Sequence, residues 1–526
     1  MKRIEIYDTT LRDGAQGEGI SFSGPGKIKI ARLLDEFGVD YIEGGYAASN
    51  PKDMEFFHEI RKHPLKHAKI AAFGSTRRAF VSAAEDGNTR ALLEADTPVV
   101  TIFGKSWKLH VRDVLKTTED ENRAMIADTV AHLKANGKEV IYDAEHFFDG
   151  YKDSPEHAVS TLVAAAEAGA DRIVLCDTNG GTLFYEVEAI TAEMIKRFGD
   201  KVGIHPHNDS ELGVANALSA IRAGAVHVQG TMNGFGERCG NANLCSIIPN
   251  LGLKMGYEVL VPGAMGKLKN VAEFVCEMTN VRPNTRAAFV GQSAFAHKAG
   301  MHVDGVNKNP QSFEHINPET VGNERRILIS ELSGTSNVFL KAVEMGLTLD
   351  KKSPEVKSIL HELEALEKKG YEFEAAEGSF KLLIQKVLKA HKPFFSLEAF
   401  RVIVEKRHRE EASISEATVK LRINGSVLHT VGEGDGPVDA LNDAMRKALS
   451  TIYPSIADVH LVDYRVRILD PQEATAAKTR VLIESTDGEQ TWGTVGVSTN
   501  IIEASWEALV DSVEYKLFLD EQKRGK

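Results

Sequence analysis

Eight short β-type runs alternate with helix-length segments across roughly the first 250 residues of a chain of 526. The runs are RIEIY, VDYIEGG, KIAAFG, PVVTIFG, EVIYDAEHF, DRIVLCDT, KVGIHPHND and AVHVQGTMNG. Runs of this length, followed by helical stretches such as EDENRAMIADTVAHLKANG, are typical of βα units. Eight βα units predict a (β/α)8 barrel, whose functional site is built at the carboxyl ends of the strands. An open doubly wound sheet is the alternative, but no GxGxxG loop follows the first run.

Composition and charge exclude several classes of protein. The net charge of −12 argues against a surface that binds nucleic acid, and no apolar run approaches the length of a membrane helix. The first residues show no signal-peptide pattern, and the four cysteines lack both CxxC spacing and the density of a secreted scaffold. We therefore expect reduced, mostly buried thiols in a cytoplasmic protein that binds neither nucleic acid nor membranes.

Two further regions follow the predicted barrel. After about residue 275 the pattern changes to helices and loops, and from about residue 393 it becomes rich in β-type segments. The sequence thus predicts three domains: an N-terminal TIM barrel at 1–275, helical linker subdomains at 276–392, and an α+β domain at 393–526.

The last region contains an internal two-fold repeat. TVGEGDGPVDALNDAMRKAL from Thr430 and TVGVSTNIIEASWEALVDSV from Thr494 align without gaps at an offset of 64 residues, which pairs Gly432 with Gly496. Two related β-plus-helix halves are predicted. Glycines in both copies would let backbone N–H groups approach a ligand carboxylate, which suits an effector pocket shared by the halves. The alternative is that the two halves serve only to form a dimer.

Polar clusters fall where five of the predicted strands end. DTTLRD follows the first strand, EHFFDG the fifth, CDTNGG the sixth, HPHND the seventh and NGFGERCGNAN the eighth. Polar loops are common after strands, but the carboxyl ends of barrel strands converge on one mouth. Five converging clusters therefore predict a functional site there.

The cluster after the seventh strand suggests a metal site. His205 and His207 stand at i and i+2 on a strand, so both imidazoles face the same side and can bind one cation. Asp13, at the end of the first strand, would add a carboxylate, and Asn241 would be a further ligand or a support. This oxygen and nitrogen set suits a divalent ion that also accepts substrate oxygens, and it leaves Mg, Mn and Zn all open.

The remaining polar residues suit the binding of an acid substrate and proton transfer to it. Arg12 can hold a carboxylate in a bidentate manner, as a metal-chelating 2-oxo acid requires, or form a structural ion pair. Thr178 could donate to the same carboxylate or bond to its own backbone. Glu145 and Asp143, on the same side of the fifth strand, could transfer protons or pair with a cation. We assign Arg12 and Glu145 to catalysis, and Arg12, Thr178 and Asp143 to substrate binding.

Three long motifs make a family resemblance specific. LRDGAQGEGISFSGPGK, HPHNDSELGVAN and NGFGERCGNANL resemble the motifs of the isopropylmalate, homocitrate and citramalate synthase family, and the similarity extends over nearly the whole chain. Enzymes of this family are metal-dependent barrels that condense acetyl-CoA with a 2-oxo acid. The resemblance implies that Arg12 binds the carboxylate of the oxo acid, and that Asp13, His205 and His207 bind the metal. It also matches Glu145 to the family's strand-five glutamate and Thr178 to its strand-six threonine.

One branch of this family is favoured. YDAEHFFDGY and the acid Glu211 in HNDSELGVAN resemble citramalate synthases of the longer type, whereas isopropylmalate synthases usually carry glycine at that position. The resemblance implies an acyl transfer from acetyl-CoA to pyruvate that gives (R)-citramalate and CoA, the first step of a threonine-independent route to isoleucine. The alternatives are a 2-isopropylmalate synthase, then a homocitrate synthase or a metal-dependent lyase on the same barrel, and a non-catalytic sensor.

The resemblance also implies cooperation between subunits. HKAGMHVDGV resembles a linker segment whose histidine, here His302, reaches the active site of the partner subunit and helps to deprotonate the acetyl-CoA methyl group. Isopropylmalate synthases often have tyrosine in the segment that follows, where this chain has Phe313. We therefore expect a homodimer with shared active sites. The last region resembles the leucine-type regulatory domain of the family, with isoleucine as the expected effector and leucine as the second.

Overall fold

The computed structural model describes residues 2–328, 335–344, 353–406, 413–469 and 477–524. The chain forms two compact units. The first unit comprises Met1–Phe295 and Ile316–Arg325, and the second comprises Ala296–His315 and Arg326–Lys526. Among the described residues, no helix is both long enough and apolar enough to cross a membrane. Three of the four cysteines are buried and Cys239 is exposed, and all four are free, as predicted.

The first unit contains a closed barrel of eight parallel strands that follow one another in chain order, which confirms the predicted (β/α)8 fold. The barrel closes where the first strand pairs with the eighth, with Glu5 beside His227. The strands are β1 (Glu5–Asp8), β2 (Tyr41–Tyr46), β3 (Lys69–Ser75), β4 (Val99–Lys105), β5 (Glu139–Glu145), β6 (Arg172–Asp177), β7 (Val202–Pro206) and β8 (His227–Gly230). The helices of this unit are α1 (Gly24–Phe37), α2 (Pro51–Ile60), α3 (Gly87–Glu94), α4 (Glu119–Ala135), α5 (Phe147–Asp153), α6 (Pro155–Glu167), α7 (Phe184–Phe198), α8 (Gly213–Ala223), α9 (Leu244–Pro249) and α10 (Leu268–Met278).

Helix α1 shows how the sequence sets the ends of an element. The side chain of Ser23 accepts a hydrogen bond from the backbone N–H of Gly26, and a proline follows in the first turn. Both features favour the start of a helix. The helix is followed by Gly38, whose φ of 89° favours glycine, and a Cβ at that position would lie 2.8 Å from the side chain of Val261.

The interior of the barrel changes character along the strands. A buried, mostly apolar layer contains Tyr7, Tyr41, Ala71, Val99, Ile141, Val174 and Cys176. Two residues further along β2, the buried Glu43 accepts a hydrogen bond from the Tyr7 hydroxyl at 2.7 Å. The polar part of the interior therefore begins immediately beyond this layer, towards the carboxyl ends of the strands.

In the described part of the second unit, two short strands and four helices accompany two antiparallel sheets that are each followed by a helix. Its strands are β9 (Ala296–His297), β10 (Arg326–Ile327), β11 (Ser396–Glu405), β12 (Ile414–Ile423), β13 (Ser426–Gly434), β14 (His460–Ile468), β15 (Thr479–Thr486) and β16 (Thr491–Ser498). Its helices are α11 (Gly300–Lys308), α12 (Thr335–Glu344), α13 (Pro354–Lys368), α14 (Glu377–Val387), α15 (Pro437–Leu449) and α16 (Ile501–Arg524).

The two antiparallel sheets confirm the internal repeat. The orders β11-β12-β13 and β14-β15-β16 are the same, and α15 and α16 follow them. The Thr430 hydroxyl donates to the carbonyl of Ala444 at 2.7 Å, and the Thr494 hydroxyl donates to the carbonyl of Ala508 at 2.7 Å. Each donor and each acceptor is thus matched by the residue 64 positions later.

The paired glycines of the repeat have a packing role. A Cβ on Gly432 would lie 2.4 Å from the carbonyl oxygen of Ala440, and one on Gly496 would lie 2.0 Å from that of Ala504. Each glycine therefore lets the following helix pack directly on its strand. These two positions face their own helices, so the interpretation of them as open ligand-binding loops is wrong.

The linker helices and the repeat share one core. Residues of α13 and α14 pack with a residue of β16 in a cluster that includes Val356, Ile359, Phe380, Ile384 and Val495. The second unit thus contains most of the predicted linker together with the C-terminal region. The domain boundaries proposed near residues 275 and 392 stay predictions.

Candidate active site

Three predicted metal ligands meet at the mouth of the barrel. Asp13 lies in the turn after β1, His205 lies in β7, and His207 follows β7. The ligand atoms that these side chains offer all lie within 4.8 Å of one another, and His205 Nε2 is 3.2 Å from Asp13 Oδ2. All three residues are buried. One carboxylate and two imidazoles are thus positioned to bind a single cation.

Asn241 completes this group. The backbone of Asn241 forms a β-bridge with His207, and its side-chain nitrogen lies 3.0 Å from Asp13 Oδ2 and 3.1 Å from His205 Nε2. Its side-chain oxygen is buried and has no hydrogen-bond partner in the part of the chain that the structure describes. A buried oxygen without a partner is costly unless a ligand satisfies it. The residues present therefore fit a divalent cation, which agrees with the chemistry of the donor set.

Charges within the group shift its pKa values in opposite directions. Burial alone would raise the pKa of Asp13, but Arg12 and His205 lower it far below its ordinary range. Burial alone would lower the pKa of His205, but the neighbouring carboxylate of Asp13 raises it. Burial, followed by the neighbouring His205, lowers the pKa of His207 to about 3, which keeps that imidazole neutral as a ligand requires.

Arg12 is held rigidly beside the cluster of Asp13, His205, His207 and Asn241, which we call the metal group. Its Nη1 lies 2.9 Å from Asp13 Oδ1, its Nε lies 2.5 Å from Glu43 Oε2, and its guanidinium lies 3.7 Å from the centre of the Phe73 ring. Burial would lower the pKa of Arg12, but the carboxylates of Asp13 and Glu43 raise it above its ordinary value. The guanidinium is thus a fixed cation, and its further N–H groups are suited to a substrate carboxylate.

Glu145 and Thr178 lie at the ends of neighbouring strands. Glu145 ends β5 and forms an ion pair with Lys105, which ends β4. The Thr178 hydroxyl follows β6 and accepts a hydrogen bond from the backbone N–H of His146 at 2.9 Å. Among the described residues, neither side chain forms a hydrogen bond or an ion pair with the Asp13 group. Their roles stay predictions.

Asp143 lies deeper in the barrel than Glu145. Its carboxylate is buried and accepts a hydrogen bond from Gln229 Nε2 at 3.0 Å, and Gln229 Oε1 lies 2.6 Å from His205 Nδ1. Burial raises the pKa of Asp143 to about 7, although the charge of His205 opposes the shift. The structure thus places Asp143 behind His205, and its contact with substrate stays a prediction.

His302 belongs to the second unit. It lies on α11, and its imidazole stacks on the ring of Phe313 with centroids 4.3 Å apart. A Cβ on Gly305, one turn further along the helix, would lie 2.5 Å from the Phe313 ring. Glycine at this position therefore lets the phenyl ring pack on the helix and support the imidazole.

Several residues that organise the site were missed by the sequence reasoning. They are Glu43, Phe73, Lys105 and Gln229. Glu43 stands two positions after Tyr41, and Gln229 stands two positions after His227. The rings of Tyr41 and His227 contact each other inside the barrel. Lys105 is a charged residue at a strand end. The alternation of side chains along a strand could therefore have indicated that Glu43, Gln229 and Lys105 face the site.

Comparisons with known proteins cover nearly the whole chain. The family described as HMGL-like matches residues 3–275, the homocitrate synthase post-HMGL domain-like family matches residues 289–371, and the LeuA allosteric (dimerisation) domain matches residues 374–517.

Full-length relatives are closely similar. An (R)-citramalate synthase from Aquifex aeolicus is 54% identical over 523 residues, which cover 99% of each chain. Another from Geobacter sulfurreducens is 53% identical over 525 residues, which cover all of this chain and 99% of the relative. Among solved structures, the HMG-CoA lyase of Bacillus subtilis covers 53% of this chain and 95% of its own, with 19% identity and a TM-score of 0.47.

Proposed function

The chain belongs to the (R)-citramalate synthase family, and we propose that it condenses acetyl-CoA with pyruvate to form (R)-citramalate and CoA. The observation that carries this proposal is the buried group of Asp13, His205 and His207 beside the fixed guanidinium of Arg12. Such a group can bind both ends of a 2-oxo acid, because a cation attracts the keto oxygen and arginine pairs with the carboxylate.

The metal ligands would be Asp13, His205 and His207, with Asn241 as the fourth residue. Their convergent ligand atoms and the unpartnered oxygen of Asn241 support this assignment. A divalent cation, when bound, would polarise the keto group of pyruvate and stabilise the negative charge that develops on its oxygen. Mg, Mn and Zn all suit the donor set.

Arg12 would bind the carboxylate of pyruvate, with Thr178 as a second donor. Glu43 and Asp13 hold the guanidinium at two of its nitrogens, so the arginine does not need to reorganise when substrate enters. The aromatic residues near Arg12 would limit the size of the substrate. Phe73 lies against the guanidinium, and Phe103 stacks on Phe73 with centroids 5.4 Å apart.

Proton transfer would fall to His302 and Glu145. His302 of one subunit, with Glu145 of its partner, would take a proton from the acetyl-CoA methyl group, and the resulting enolate would attack the keto carbon of pyruvate. Water then hydrolyses the thioester and releases CoA, which draws the reaction forward. The stacking of His302 on Phe313 supports this role, because it fixes the imidazole on α11.

A homodimer would be formed through the C-terminal repeat. The two sheets expose apolar side chains that a second copy would cover: Val427, Val431, Leu461, Val462 and Val466. Contiguous exposed apolar surface is typical of interaction sites. This proposal agrees with the match of residues 374–517 to a dimerisation domain. Feedback inhibition by isoleucine, with leucine as the second effector, and a cytoplasmic location stay predictions.

A parallel substrate assay tests the proposed reaction. CoA release is measured with acetyl-CoA and either pyruvate, 2-oxoisovalerate or 2-oxoglutarate, with and without a chelator. We expect the highest kcat/KM with pyruvate and loss of all activity on chelation. Comparable efficiency with 2-oxoisovalerate would assign the chain to the isopropylmalate branch instead.

A further inference from the structure

Gln229 links a metal-binding histidine to the polar interior of the barrel. Its fully buried side chain has three polar neighbours. The oxygen Oε1 lies 2.6 Å from His205 Nδ1, and the nitrogen Nε2 lies 3.0 Å from Asp143 Oδ1 and 3.4 Å from His227 Nε2.

The donor and acceptor properties of these groups determine the orientation of the amide. An amide nitrogen can only donate and an amide oxygen can only accept, whereas an ionised carboxylate can only accept. The nitrogen of Gln229 lies on the side of Asp143 and donates to its carboxyl oxygen, and the oxygen of Gln229 faces Nδ1 of His205. An oxygen in that position accepts a hydrogen bond only if His205 carries its proton on Nδ1.

The neighbouring histidine reinforces this orientation. His227 Nδ1 lies 3.1 Å from Glu5 Oε2, and Arg172 holds Glu5 through two hydrogen bonds of 2.8 and 2.5 Å. Glu5 accepts from Nδ1 of His227, so Nε2 of that ring has a lone pair for the second amide hydrogen of Gln229. Two acceptors thus oppose rotation of the amide by half a turn.

We propose that Gln229 is a positioning residue that holds His205 in the tautomer with its proton on Nδ1, so that Nε2 is left with a lone pair for the metal. Nε2 is the atom that lies 3.2 Å from Asp13 Oδ2, on the side of the metal group. Partners of this kind behind a metal ligand fix its tautomer and orientation and increase metal affinity. Asp143 then acts through Gln229, as its acceptor. This inference rests on the proposed metal site.

Two measurements test the role of Gln229. The first is the affinity of the full-length protein for Mn²⁺, measured by calorimetry on the wild type and on three variants. Gln229→Met keeps the size of the side chain but removes the acceptor, and we expect it to weaken Mn²⁺ binding by about 10-fold to 100-fold. Gln229→Glu keeps an acceptor oxygen for His205 but loses the donor to Asp143, so we expect it to bind Mn²⁺ more tightly than Gln229→Met and less tightly than the wild type. Gln385→Met removes another buried glutamine, on α14, and should leave Mn²⁺ binding unchanged.

The second measurement reads the tautomer directly in the wild-type protein without metal. Nitrogen-15 spectra of histidine-labelled protein at pH 9, assigned with a His205→Ala variant, should show the proton of His205 on Nδ1. A proton on Nε2, or wild-type Mn²⁺ affinity in a folded Gln229→Met protein, would overturn the inference. If the wild type binds no Mn²⁺, the proposed metal site fails, and the spectrum alone then supports or refutes the positioning of His205 by Gln229.

Discussion

The side-chain amide of Asn241 donates to the carboxylate of Asp13 at 3.0 Å, although 228 residues separate the two along the chain. Asp13 follows the first strand of the barrel and Asn241 follows the eighth, and these two strands are paired where the barrel closes. Closure of the barrel therefore assembles the metal group. The group forms only in the complete fold, although its members contribute little to the apolar core.

Removal of a metal ligand should abolish activity and leave the fold intact. We expect Asp13→Ala and His207→Ala each to lower kcat by at least about a thousandfold, because polarisation of the keto group by a cation is worth several kcal/mol. Metal content, CoA release and circular dichroism are measured together, with His58→Ala on the exposed face of α2 as the control. Bound metal and ordinary turnover in either ligand variant would contradict the assignment.

Enlarging the pocket beside Arg12 should relax substrate specificity. Phe103 stacks on Phe73 and also lies against Lys105, whose ammonium is 5.2 Å from the ring centre. It is thus placed between Arg12, which lies over Phe73, and the Lys105 ion pair. We expect Phe103→Ala to raise the ratio of kcat/KM for 2-oxoisovalerate over pyruvate by about 10-fold to 100-fold, the usual range for steric discrimination between aliphatic groups.

Parallel kinetics on the three 2-oxo acids measure this ratio. Phe80→Ala removes a phenylalanine that is 80% exposed and should leave the ratio unchanged. An unchanged ratio in Phe103→Ala as well would mean that other side chains limit the size of the substrate.

The barrel and the position of the metal group could be predicted from the sequence. The barrel was predictable because its eight apolar runs have strand length and alternate regularly with helices. The metal group was predictable because His205 and His207 share one face of a strand, and because strand ends converge in a barrel.

The contacts of the other site residues depend on the register of the strands and on how deep each side chain lies in the barrel, and the sequence reveals neither. Asp143 and Glu145 face the same side of β5, so sequence reasoning groups them. They differ in depth by two residues, about 6.6 Å along a strand, and their partners differ accordingly. Glu145 reaches Lys105 at the mouth, whereas Asp143 contacts Gln229 below it. Similarly, the packing role of Gly432 depends on the carbonyl of Ala440 in the helix that lies against it, and this contact cannot be read from the sequence.

A buried glutamate in the second unit predicts a pH-dependent stability. Glu514 of α16 accepts a hydrogen bond from the backbone N–H of Phe394 at 3.0 Å, and burial raises its pKa to about 7. Its pKa in the unfolded chain is about 4.3. The folded state therefore holds this proton more tightly than the unfolded state. The cost of ionising Glu514 is absent below about pH 4.3, grows as the pH rises, and is complete above about pH 7.

Glu514→Gln should remove this cost. Glutamine keeps an oxygen for the Phe394 N–H, so we expect stabilisation of about 1 to 3 kcal/mol at pH 8 and little change at pH 4.5. Thermal unfolding of wild type and variant at both values measures the effect. The control is Glu489→Gln, whose side chain is 73% exposed. Equal effects of Glu514→Gln at the two pH values would show that its ionisation does not limit stability.

Shared active sites predict complementation between inactive subunits. If His302 of one subunit serves the metal group of its partner, a mixed dimer of Asp13→Ala and His302→Ala chains contains one intact site. We expect subunit exchange to restore up to about a quarter of wild-type turnover, because half of the dimers are mixed and each has one site. Exchange is followed by native mass spectrometry. Proven exchange without any recovered turnover would contradict a shared site.

Feedback inhibition by isoleucine is the last prediction, and the full-length enzyme is needed to test it. A cut near Lys392 would remove β16 and expose the faces of α13 and α14 that pack with Val495, so loss of regulation in such a fragment would have no clear cause. We expect isoleucine to inhibit more strongly than leucine and valine, with a coupling of about 1 to 3 kcal/mol between effector and substrate. Because coupling is reciprocal, pyruvate should weaken isoleucine binding by the same factor, and calorimetry with and without pyruvate measures it. If the enzyme responds to none of the three amino acids and binds none of them, the repeat serves dimerisation alone.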